Sequence, residues 1–167
     1  MQDLKSKLST WMTDFVEVPN AKLGNFAPCP YARAARVNNQ IEILESNIQD
    51  LYMDAIGCLT SLAHKEVVVI AFDHNMIDPV TLQEVVAHLN DKLMPNNYVA
   101  LEDHPDAPEY VNGVKMNFGY CGLVIIQKLD NLNIAADKLR EQGYYNSWDK
   151  NYLDSVVSWR YIQDEVR

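Results

Sequence analysis

Apolar positions recur along this chain with two different periods, and their alternation predicts an α/β order. Leu4, Leu8, Trp11, Met12 and Phe15 fall three and four residues apart. They predict an amphipathic helix from residue 2 to about 17, which Pro19 ends, with Asp3, Lys5, Lys7 and Asp14 on its other side. Residues 37–46 alternate, Ile41 and Ile43 against Glu42, and predict a first strand. The helical period returns over 48–64 through Ile48, Leu51, Tyr52, Ala55, Ile56, Leu59 and Ala63, with Cys58 beside the stripe as a small core residue. Residues 66–72 are β-branched and apolar on both sides, the pattern of a central strand covered on both faces. Asp78-Pro79 then opens a helix, Asp as N-cap and Pro at the first helical position. Leu82, Val85, Val86, Leu89 and Leu93 form its packing face, and Pro95-Asn96-Asn97 stops it ahead of a third strand at 98–101.

Residues 104–117 read as a loop, and 120–128 as a fourth strand, again apolar on both faces. Asp130 is placed to cap a helix over 131–142 that Gly143 ends, and Ser147 to cap a last helix. Tyr144, Tyr145, Trp148, Tyr152 and Trp159 make this end unusually aromatic. Two successive βαβ units imply right-handed crossovers and parallel pairing among the first three strands, the fourth being free to pair antiparallel. The expectation is a single α/β domain over 1–167. It is a sandwich of about four mixed, mostly parallel strands with flanking helices and an N-terminal helix.

Composition narrows the function classes. A chain of 167 residues, 48% hydrophobic and 22% charged, has the make-up of one globular core. A net charge of −9 argues against nucleic-acid partners and against an anionic membrane surface. No apolar run approaches the roughly 18 residues of a membrane span, and the first residues lack a signal-peptide core. Three cysteines without paired spacing make no disulfide framework, so the expected compartment is the cytoplasm. Glycine is scarce and no phosphate-cradling motif occurs, so no nucleotide cofactor is expected.

Two constellations carry candidate chemistry. The first lies in the long connection at 19–36, where Cys29 is held between Pro28 and Pro30. Both prolines fix their own φ, and Pro30 moves Cys29 out of the helical region. Arg33 and Arg36 follow closely enough to favour a thiolate, making Cys29 a candidate nucleophile or ligand. Tyr31, Arg33 and Arg36 are the candidate substrate contacts, the arginines for an anion. The second constellation is a repeated pair: strands two and three run into Asp73-His74 and Asp103-His104, with Asp106 just behind. As parallel neighbours they would reach the carboxyl edge of the sheet, where open α/β folds bind ligands. Asp73, His74 and His104 would suit a divalent metal, and His104 with Asp106 would equally suit acid–base work. Each has an ordinary structural reading as well. Asp forms turns at strand ends, and a free cysteine is often a small core residue.

The box Pro28-Cys29-Pro30-Tyr31-Ala32 resembles the Cys-Pro-Phe-Ala box of an uncharacterised bacterial family of small proteins. In that family a Trp-bearing amphipathic helix precedes the box, as Trp11 does here, and a later strand runs into a His-Pro-Asp segment like His104-Pro105-Asp106. Tyr31 replaces the family's Phe, and its later Asn-, Arg- and Pro-rich stretch has no counterpart around 115–140. The resemblance implies a joint Cys29 and His104 site.

Two functional expectations follow. One is an enzyme acting on a small polar molecule through Cys29 and His104, with a divalent metal as candidate cofactor. The other is a non-catalytic binding or assembly protein, a homodimer among the candidates, whose aromatic C-terminal region docks a partner.

Overall fold

Strand residues apolar on both sides gain most at the middle of a sheet, and this rule sets the strand order. A computed structural model of the chain describes residues 2–162. The strands are β1 (Ile41–Glu45), β2 (Val67–Phe72), β3 (Tyr98–Asp103), β4 (Tyr110–Val111), β5 (Val114–Lys115) and β6 (Gly122–Lys128). Four of them form one sheet in the order β1-β2-β6-β3, while β4 and β5 pair as a small separate hairpin. β1 and β2 are parallel, and β6 is antiparallel to both β2 and β3. β3 thus runs in the same direction as β1 and β2, but it is not the neighbour of β2 that the two βαβ units suggested. β6 takes the place between them, where its Leu123, Val124 and Ile126 lose all contact with solvent.

The helices are α1 (Gln2–Trp11), α2 (Ala32–Val37), α3 (Leu51–Gly57), α4 (Pro79–Leu93), α5 (Leu129–Glu141), α6 (Lys150–Leu153) and α7 (Trp159–Ile162). A π-helical turn at Met12–Val16 prolongs α1 to the predicted end. α2 occupies the end of the stretch expected to be a connection and the first residue of the expected first strand, which begins only at Ile41. α3 is shorter than expected, since the Thr60 hydroxyl donates back to the Gly57 carbonyl at 3.0 Å and the chain tightens into a 3-10 turn at Ser61–Ala63. α4 begins as predicted, with one Asp78 oxygen accepting the Val80 and Thr81 amides at 3.0 and 3.1 Å. α5 starts directly from β6 instead of at Asp130, because Asn97 accepts the Leu129 amide on its carbonyl and the Asp130 amide on its side chain. Gly143, at φ 84°, ends that segment, and Asp149 rather than Ser147 caps α6. Among the described residues no helix is long and apolar enough to cross a membrane.

The two faces of the sheet are covered unequally. α3 and α4 close one face: Leu51, Leu82 and Leu89 meet Val68, Ile70, Val124 and Ile126, all at most 1% exposed. On the other face α1 packs Leu8 against Val69, Ala71 and Leu123, and α5 packs Leu129 against Val99 and Met94. Between these two helices Ile41, Ile43, Val67 and Ile125 are only half-buried. β2 and β6 are therefore not sealed on both sides, as their composition suggested.

Candidate ligand-binding groove

The segment around Cys29 is fastened at many points. Gly24 and Asn25 both adopt positive φ and turn the chain so that Asn20 and Phe26 bridge. The Cys29 amide donates to the Val16 carbonyl at 3.0 Å, and the Ala32 amide donates to the Cys29 carbonyl at 3.1 Å. Pro30 is thus the second residue of a turn, the place its fixed φ suits. The Tyr144 phenol donates to the Pro28 carbonyl, and its ring meets Phe26 edge-on with centroids 5.3 Å apart.

Cys29 is exposed as a residue and lines the groove described below. Desolvation of its sulfur pushes the thiol's pKa up, against the pull of the Tyr31 and Ala32 amides, and the Glu17 carboxylate adds to the rise. The arginines expected to favour a thiolate do not. Arg36 is clasped by Glu17 through two bonds of 2.6 and 2.8 Å, and Arg33 is exposed, outside the groove lining.

Cys29 forms part of the wall of a groove of about 490 Å³ on the half-covered face of the sheet. Ile43, Val69 and Ile125 are its floor; Trp11 and Phe15 line one wall, and Leu132 and Ala135 of α5 line the other. Tyr31 reaches across, its hydroxyl 3.5 Å from the Ala135 carbonyl. Of this lining, Cys29 and Tyr31 were candidates from sequence, whereas Ile43, Val69, Ile125, Trp11, Phe15, Leu132 and Ala135 were not singled out as a site. Alternation shows which way a strand residue points but not what covers it.

The second constellation lies elsewhere. Asp73 and His74 line a hollow of about 460 Å³ at the carboxyl ends of β1 and β2, together with Asp3, Glu45, Tyr120 and Cys121. Asp73 turns back to accept the Asn75 amide and side chain at 3.0 and 2.8 Å, which hold its carboxyl below the usual range. His104 is 3% exposed and lines neither hollow. Its Nε2 lies 2.9 Å from the Ile77 carbonyl and 3.3 Å from that of His74, while the Asp106 amide donates to Nδ1 at 3.1 Å. Carbonyls only accept, so the ring is the Nε2–H tautomer with both nitrogens engaged. The base proposed from sequence is therefore a tie between the loop after β2 and the loop after β3. Asp106 serves it through the main chain.

His74 and His104 rings do meet edge-on, 5.7 Å between centroids, so the shared sheet edge was read correctly. Among the described residues no group of three or more His, Cys, Asp or Glu side chains is arranged to hold an ion. Asp73 is turned to Asn75, and the His104 nitrogens are engaged by main-chain groups of Ile77, His74 and Asp106. Asp103 instead accepts Asn117 and Phe118 at 2.8 Å each, and burial still raises its pKa. Glu109, likewise raised by burial, accepts the Tyr152 hydroxyl at 2.7 Å.

No protein-family model matches the chain, and no curated protein or solved structure matches it either.

Proposed function

We propose that this protein binds an elongated, largely apolar small molecule in the groove between α1 and α5. The observation that carries this reading is the unequal sealing of one sheet. Val68, Ile70, Val124 and Ile126 are fully buried on one face, while Val67 and Ile125 of the same two strands stay half-buried on the other. Apolar surface left wet in this way is worth about 25 cal/mol per Å² to whatever displaces the water. The groove volume of about 490 Å³ falls in the range of small-molecule sites.

Two features favour binding over turnover by a Cys29–His104 pair. A thiol whose pKa is raised stays protonated near neutral pH and is a poor nucleophile. The imidazole meant to activate it has both nitrogens engaged. Docking of a partner by the aromatic C-terminal region has less support, because Tyr144 is 4% exposed and Trp148 packs between the Tyr144 and Tyr152 rings.

Cys29 supplies the test, since Cys58 and Cys121 are buried at 3% and 8% exposure. Native protein is treated with iodoacetamide across a titration of 1-decanol. The expected result is a Cys29 alkylation rate that falls in step with the free fraction of protein and saturates. An alkylation rate indifferent to saturating decanol overturns the reading.

A further inference from the structure

The apolar floor of the groove ends in an uncharged amide. Leu123, Ile125 and Gln127 alternate onto one face of β6 and all three line the groove. Strand register confirms the direction of the last of them. Gln127 lies opposite Val67 of β2, which packs with Leu8 on this face, and opposite Val99 of β3, which packs here with Leu129. The Gln127 side chain is half-buried and makes no hydrogen bond among the described residues. Asn131, in the first turn of α5, lines the same groove with Ala135 and Lys138 further along the helix, and its carboxamide is likewise without a hydrogen bond among the described residues.

Charge stands away from that amide. Lys128 alternates to the other face, where its partner Tyr98 packs against the α3 and α4 core. Lys138 is two turns beyond Asn131, about 10 Å along the helix axis, and Glu66 is exposed at the rim. A carboxamide among apolar neighbours is left wanting a donor and an acceptor at once, and another carboxamide supplies both side by side. From Gln127 back to Leu123 the floor spans roughly 13 Å at about 3.3 Å per residue, room for a medium-length alkyl tail.

Resting on the groove-binding reading above, we infer that the ligand is an uncharged medium-chain fatty amide, its carboxamide paired with that of Gln127 and its tail laid along Ile125 toward Leu123. The ligand N–H donates to the Gln127 Oε1, and the ligand carbonyl accepts from Nε2. Gln127 is thus the residue that selects the head group, while the apolar lining holds the tail.

Isothermal titration calorimetry with decanamide, 2-undecanone, decanoate and decylammonium tests this on the full chain and on two variants, Gln127→Met and Gln127→Glu. The ketone has the shape of the amide with a methyl group in place of the amino group, so it keeps the carbonyl and loses the donors. Dividing one affinity by the other cancels what either variant does to the groove as a whole. The ratio of decanamide to 2-undecanone affinity is expected to fall about fivefold on Gln127→Met, the worth of one hydrogen bond. It should not fall on Gln127→Glu, whose carboxylate still accepts the amide N–H. A ratio unchanged by Gln127→Met, or lowered as much by Gln127→Glu, overturns the head-group assignment while the groove stands. Tighter wild-type binding of decanoate would place the head at Lys138, and of decylammonium at Glu66; either overturns it equally. Binding of none of the four overturns the groove itself.

Discussion

β3 is an edge strand, and an edge presents backbone groups with no strand beside them. This protein deals with the problem by one side chain. Asn90, on α4 and 6% exposed, donates through Nδ2 to the Ala100 carbonyl at 2.9 Å and accepts the Ala100 amide on Oδ1 at 2.8 Å. Its carboxamide thus stands in for a neighbouring strand. Asn90→Ala removes both bonds at once. Ala100 is fully buried, so neither of its freed groups gains water without α4 moving away. A buried group left unsatisfied costs about 1–3 kcal/mol, and the truncation adds a small void, so a loss of about 3–4 kcal/mol is expected.

Urea unfolding measures that loss, and native-state hydrogen exchange locates it. The Ala100 amide should lose more protection than its neighbours on β6. Asn90→Asp is the informative companion. Its carboxylate keeps an acceptor for the Ala100 amide but faces the Ala100 carbonyl with negative charge. It should be at least as damaging at neutral pH and partly recover once protonated, because the acid can then donate. A loss below about 0.5 kcal/mol with Ala100 still protected would refute the account.

Two further predictions follow from other parts of the chain. A Cβ on Gly122 would fall inside the Phe72 ring, its partner across the β2–β6 pair and 3% exposed. Gly122→Ala should therefore cost about 1–3 kcal/mol in a urea melt, and less in a Phe72→Leu background. Unchanged stability would show that the ring has room to move. Alkylation of Cys29 should show a pH midpoint above the ordinary range for cysteine, since desolvation of its sulfur raises its pKa. By the same sign, any stability linked to this thiol is present below its unfolded pKa and lost as pH rises through the folded one. A midpoint below about 8 would mean that an arginine activates the thiol after all.

The parts of the fold that were legible in sequence are those decided locally. Asp78-Pro79 places the start of α4 because the N-cap and the two amides it accepts lie within three residues of one another. The both-faced apolar run at β2 identifies a central strand for a similar reason. The position of β6 was not legible, because strand order depends on which strands lie beside it, and its partners lie about fifty to sixty residues away in β2 and about twenty to thirty in β3. α2 was missed because two prolines just ahead of it obscure a helix of only six residues. Arg36 illustrates the same limit at the level of a side chain. Its nearest chain neighbours include Cys29, but its partner is Glu17, nineteen residues back and 5% exposed at its side chain. A buried carboxylate holds a guanidinium far more firmly than a neighbouring thiol can.

Cys29 and Tyr31, two of the residues that attract attention in sequence, line the groove, and the segment that carries them is held in place by many bonds. An open apolar groove tends to collapse, because closing it would bury the same surface that a ligand buries. Keeping it open takes walls that are fixed by bonds a collapse would break. The Cys29 segment has such bonds on three sides: its amide to Val16, the Tyr144 phenol to Pro28, and the Arg36–Glu17 clasp just beyond. Pro28 and Pro30 stiffen the span between them. The aromatic C-terminal end serves the same purpose, since Tyr144 is held in turn by Phe26, Tyr145 and Trp148. His104 does for the loops after β2 and β3 what Tyr144 does for the Cys29 segment, tying two connections that would otherwise move apart. A preformed groove of this kind spends little of its ligand's binding energy on ordering the protein, which suits a binding role and asks no reactivity of Cys29.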